Sequence, residues 1–127
     1  MSTNDTNYMF LKNTYYLLRH GQALSNVDRF CSSWPEKIDN PLTSHGKKTI
    51  EKAAEYLKDK SISFIFSSDL QRAKQTAKIV EKALNSRLKF DLSHTNFKRV
   101  KLVWDTRLRE LDFGIFNGKP FEHFDSY

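Results

Sequence analysis

At 127 residues with one cysteine, Cys31, the chain falls within the range of a single domain and cannot close an internal disulfide. Its 39% hydrophobic and 28% charged residues suit a globular protein and exclude a wholly disordered one. Twenty-one Lys and Arg against fifteen Asp and Glu give +6, which favours an anionic partner or a lysine-rich solvated surface, and no apolar run is long enough to span a membrane.

Residues 1–13 read as a polar N-terminal leader, followed by one domain over 14–127. The leader has neither a basic n-region nor a sustained apolar stretch, so it is not a secretory signal, and a cytoplasmic location is the expected default. Thr14 to Leu18 reads as a strand from its β-branched and aromatic content. It runs directly into Arg19, His20 and Gly21. Side chains alternate along a strand, so Arg19 and His20 share one rim only if the chain bends, which Gly21 permits.

Residues 21–45 read as a long loop, of the kind that often carries function. "GKKTIEKAAEYLKD" then sets Ile50, Ala53, Ala54 and Leu57 on one helical face from Gly46 to about Asp59. "ISFIF", residues 62–66, is a short buried-strand candidate. The helix that follows carries a stripe of Leu70, Ala73, Ala77, Val80 and Leu84, with Ser68 and Gln71 in a capping-box pattern at its start. "VKLVW", residues 100–104, makes a third strand, and "KPFEHFDSY" reads as the opening of a helix. Strand, loop, helix, strand, helix, strand predicts an α/β fold with a parallel sheet. Ligands in such folds sit beyond the carboxyl ends of the strands. Arg19–His20, Ser67–Arg72 and the glutamate of "LRELDFG" should then meet on one rim.

These residues suit phosphate chemistry. Arginine charge nearby should lower the His20 pKa and keep the imidazole neutral, so that it can attack phosphorus and carry the phosphoryl group. Arg19 offers a planar fork to phosphate oxygens, and Arg72 sits in the first turn of a helix, where unpaired N–H groups already favour anions. Asp69 beside Arg72 could neutralise part of that charge. Glu110, between Leu108 and Leu111, is expected to be buried enough to act as a general acid, or else to pair with Arg107 or Arg109.

Rival chemistries fare worse. Cys31 lacks the arginine six positions on that a cysteine phosphatase needs, since residue 37 is Lys. His20, His45, His94 and His123 show no metal-ligand spacing, so no metal and no cofactor are expected. The basic stretch of Arg87, Lys89, Lys98, Arg99 and Lys101 matches no nucleic-acid module and reads as a solvated connection. Neither nucleic acid nor membrane is expected as a partner.

Four segments together resemble the histidine phosphatase superfamily, the phosphoglycerate mutase-like proteins. "LLRHGQALSN" is similar to its RHG signature, "DNPLTSHGKKTIEKAAEYL" to its LT-x-x-G helix start, "IFSSDLQRAKQTA" to its S-S-x-x-x-R-A-x-x-T-A segment, and "LRELDFGIFNGK" to its glutamate motif. They stand in the family's order and cover most of residues 14–119. The resemblance implies a three-layer α/β/α sandwich with a mostly parallel sheet, and phosphoryl transfer without metal or cofactor. It makes His20 the phosphorylated nucleophile, Arg19 and Arg72 the clamp, and Glu110 the proton donor. Gly21, Asn26 and Ser32 would help bind a small phosphorylated substrate.

One departure matters. The family carries a second histidine, usually in an HG pair after a later strand, and neither His45, His94 nor His123 matches it. The chain therefore resembles an N-terminal portion of a family member with the C-terminal part missing. The expected function is a phosphatase working through phosphohistidine. The alternatives are a phosphoglycerate-type mutase or a non-catalytic phosphate-binding form. Such a portion is expected to expose a sheet edge and an apolar face, inviting self-association or a complementing chain.

Overall fold

A computed structural model of the chain describes residues 12–86 and 98–126. The leader therefore lies almost wholly outside the described residues, as does most of the basic stretch between residues 87 and 101. Helix α1 (Leu24–Asp28) opens the long loop region, and α2 (Ser44–Leu57) follows. Strand β1 (Phe64–Ser67), α3 (Gln71–Asn85) and β2 (Lys101–Trp104) come next, then two 3-10 turns and α4 (Phe121–Asp125). The helix begun by "KPFEHFDSY" is thus α4, whereas the short α1 is an addition to the expected loop.

Strands β1 and β2 pair in parallel, with Phe64 opposite Lys101 and Ser67 opposite Trp104. Helix α3 makes the crossover between them, as an α/β fold requires. Helices α2 and α3 pack together through Ile50, Ala54, Leu57, Val80 and Leu84, and Ile65 of β1 and Val100 join that core. The apolar faces read from the sequence are therefore the ones buried. Phe64 and Phe66 point to the opposite face of the sheet, where they stack on each other and remain more than half exposed. "ISFIF" is thus a strand buried on one side only, because no described element lies over its second face.

Residues 14–18 depart from expectation. Among the described residues they pair with no strand, and Leu17 is 99% exposed. Their composition suits a strand, but a strand exists only where a neighbour accepts its ladder of hydrogen bonds. The start of α3 also differs. Leu70, not Ser68, holds the N-cap position, and the Ser68 hydroxyl accepts instead from the Leu70 N–H at 3.2 Å.

The two glycines that bring α2 against the nucleophile segment have a packing reason. A Cβ at Gly46 would collide with the backbone of Gln22. One at Gly21 would stand 2.7 Å from the Gly46 carbonyl and 2.8 Å from Ile50. Positive φ occurs at Gly114 and Gly118 but not at Gly21. Gly21 therefore serves close approach of α2 rather than a left-handed bend.

Candidate functional site

The three expected segments meet around Arg72. Its Nε–H donates to His20 Nε2 at 3.2 Å. Its two terminal nitrogens donate to the Ser32 hydroxyl at 3.3 Å and the Ser32 carbonyl at 3.2 Å. Glu110 Oε2 stands 3.8 Å from Nη2. His20, Ser32, Arg72 and Glu110 thus form one cluster, drawn from residues up to 90 positions apart in the chain. Arg72 is 5% exposed, deep enough for its charge to act with little screening.

The hydrogen bonds of His20 decide its tautomer. Nδ1 lies 2.7 Å from the Gly21 carbonyl, which can only accept, so Nδ1 carries the proton. Arg72 Nε can only donate, so Nε2 presents its lone pair. Burial lowers the His20 pKa, the Gly21 hydrogen bond opposes it, and the charges of Arg72 and Arg19 lower it further. The expected arginine influence is present, with burial the larger cause. The result is a neutral imidazole whose Nε2 lone pair accepts from the Arg72 guanidinium.

The surroundings explain how this geometry is held. The Gly21 N–H donates to Thr76 Oγ1 at 3.1 Å, and Thr76 returns its hydroxyl to the Arg72 carbonyl at 2.8 Å. That ties the nucleophile segment to the first turns of α3. Buried Asn40 bridges to Ser25, while Gln71 and Gln75 on α3 accept from the N–H groups of Asn40 and Leu42. Asn117 accepts from the Ser33 N–H and donates to the carbonyls of Ser33 and Pro35, fixing the loop that carries Ser32. The roles of Asn40, Thr76 and Asn117 went unread in the sequence. Only their place beside the recognised motifs could have pointed to them.

The remaining expected residues sort by position. Arg19 is exposed and acts on His20 through its charge. Gly21 serves His20 with its carbonyl. Asn26 stands apart on α1, where its Oδ1 accepts from the Ala23 N–H at 2.8 Å. Glu110 is not buried: its side chain is 45% exposed, because Leu108 and Leu111 beside it are themselves exposed. Neither Arg107 nor Arg109 pairs with it. Arg107 grips Asp105, whose carboxyl these hydrogen bonds hold down at about 2. Arg109 forks onto Asp69 at 2.7 and 2.6 Å, which removes Asp69 as a competitor for Arg72. Cys31 is fully buried, and that burial pushes its thiol up, away from the reactive thiolate. A neutral imidazole beside two guanidiniums and a carboxylate can attract and orient a tetrahedral oxyanion.

Comparisons with known proteins show the family of the chain. Residues 15–126 match the family model of the histidine phosphatase superfamily, branch 1. A probable phosphoglycerate mutase, GpmB, of Yersinia enterocolitica is 33% identical over 107 residues, which are 84% of this chain and 42% of that protein. Fructose-2,6-bisphosphatase TIGAR B of Danio rerio is 36% identical over 107 residues, 84% of this chain and 37% of the relative. Among solved structures, Bacillus stearothermophilus YhfR superposes with a TM-score of 0.65 at 28% identity, covering 85% of this chain and 45% of its own. The mycobacterial glucosyl-3-phosphoglycerate phosphatase bound to VO3 gives 0.62 at 29% identity, covering 84% and 43%. The chain spans about two fifths of the length of the curated relatives it matches. With nearly all of its described residues inside the family match, the chain belongs to the histidine phosphatase superfamily, branch 1.

Proposed function

We propose that this chain carries the nucleophilic half of a phosphatase for a small phosphorylated metabolite, working through phosphohistidine. The observation that carries the reading is the His20 tautomer, with Nδ1 tied to a carbonyl and the Nε2 lone pair facing Arg72. In the first step the Arg72 Nε–H turns from Nε2 to a phosphoryl oxygen, the freed Nε2 lone pair attacks phosphorus, the N–P bond forms and the P–O bond to the leaving group breaks. Glu110, a carboxylate at rest, takes the proton of the bound phosphomonoester monoanion and passes it to the departing oxygen, and the arginines hold the other phosphoryl oxygens. In the second step Glu110 takes a proton from water, the oxygen attacks phosphorus, and the N–P bond returns its electron pair to His20.

A mutase must keep water from the phosphohistidine until a second acceptor arrives. The exposure of Glu110 favours hydrolysis instead. The substrate class rests on the relatives, which are named for phosphorylated sugars and glycerates. The test uses an activated aryl phosphate with rapid quenching. His20→Ala should abolish acid-labile phosphate labelling, whereas persistent labelling would overturn the nucleophile. Glu110→Gln should slow turnover by roughly 10²–10⁴ while labelling survives. Unchanged turnover would remove Glu110 from the acid's role.

A further inference from the structure

Glu36 lies behind the clamp. Its Oε2 accepts from the Gln71 N–H at 2.9 Å, at the start of α3. Its Oε1 is buried without a hydrogen-bond partner and faces Arg72 Nη1 at 3.8 Å. A buried carboxylate oxygen is costly unless a cation compensates it, and an amide would have capped Gln71 equally well. What the second oxygen gains is therefore the charge of Arg72. That guanidinium stands between two carboxylates at equal distances, Glu36 on the buried side and Glu110 on the exposed side. The two are not equivalent. Glu110 is exposed and also accepts from the Leu111 N–H at 2.9 Å, while among the described residues Glu36 Oε1 faces only Arg72.

We propose that Glu36 is a positioning residue, holding Arg72 back from Glu110 so that at rest its Nε–H lies on His20, from which it can turn to a phosphoryl oxygen as the anion enters and free Nε2. At 3.8 Å the pull is electrostatic rather than a formed hydrogen bond, and the Ser32 contacts at 3.2–3.3 Å are long. The guanidinium is thus aimed but still able to close on an incoming anion. Without the Glu36 charge, Arg72 swings onto Glu110, which costs the site its clamp and its acid together. The consequence for catalysis rests on the phosphoryl-transfer reading, but the hold on Arg72 does not.

The test reads the resting chain first. In the 15N-labelled protein, the Arg72 Nε–H signal, assigned through its loss in Arg72→Lys, should be resolved and slow to exchange. Glu36→Gln, which keeps an acceptor for Gln71, should abolish that signal, and Glu110→Gln should leave it. A signal unchanged in Glu36→Gln, or lost only in Glu110→Gln, overturns the proposal. Should Glu36→Gln fail to fold, Glu36→Asp, with the charge moved back by one methylene, should weaken the signal and speed its exchange, and an unchanged signal there overturns the proposal. If the wild-type chain hydrolyses p-nitrophenyl phosphate, Glu36→Gln should lower kcat roughly 10- to 100-fold with KM little changed. An unaltered kcat also overturns it. A wild-type chain that neither hydrolyses this ester nor shifts its His20 ring signals with vanadate counts against the phosphatase reading alone, because the Nε–H signal still decides the role of Glu36.

Discussion

His20 carries an acid-base signature that follows from its surroundings. Its pKa lies below the ordinary 6.5, chiefly because burial disfavours the imidazolium, with Arg72 and Arg19 adding repulsion. The Gly21 carbonyl and the Glu110 charge oppose this without reversing it. The unfolded chain therefore takes up the proton first as pH falls. Stability should be independent of this residue above about pH 6.5 and should decline below it, where the fold resists protonation. Urea titrations of wild type and His20→Gln across pH 5–8 would check this. The wild type should lose stability on the acid side more steeply than the variant. Phosphoenzyme formation should likewise persist to lower pH than for free imidazole.

At the scale of elements, what was legible depended on whether a signal was local. The α2 and α3 faces, the two strands of the sheet and the crossover all followed from periodicity and composition. That Arg72 and His20 lie on one rim followed from the motifs, although the strand expected before His20 is not formed among the described residues. Contacts that depend on a neighbour in space were not legible. Leu17 sits in a good strand sequence yet has no strand beside it among the described residues, and Glu36 replaces Ser68 in serving the α3 start. Glycine in the helix-start motif is explained only by the structure, since α2 presses its Gly46 backbone onto Gln22. Gly46→Ala should cost about 1–3 kcal/mol by overpacking, although alanine is the better helix former. A chemical denaturation series comparing it with Ala53→Gly, on the same helix but half-buried, would separate the two effects.

For the whole molecule, the sheet is the main concern. Phe64, Phe66 and Val103 share an uncovered face, and Tyr15 through Leu18 lie exposed nearby in sequence to the nucleophile. Apolar surface of this kind favours association, and among the described residues β1 has a strand on one edge only. The chain alone is expected to show a mass that rises with concentration in sedimentation. Phe66→Lys should reduce that association with little cost in stability, since Phe66 is already 60% exposed. A monomer at all concentrations would argue against this face as a contact surface. No helix among the described residues is long and apolar enough to cross a membrane.

The ties that assemble the site are long in sequence. Arg72 to His20 spans 52 residues, Gly21 to Thr76 spans 55, and Arg72 to Ser32 spans 40. Closing loops of that size is entropically unfavourable, and a few hydrogen bonds of modest net worth cannot drive it. The packing of α2 against α3 must bear that cost first. On a ribosome, the nucleophile would emerge well before its clamp and would remain an ordinary solvated histidine until α3 docked. Chemical reactivity of His20 is therefore a clock for folding: its Nδ1 contact to Gly21 is local, whereas its Nε2 meets Arg72 only when α3 has docked.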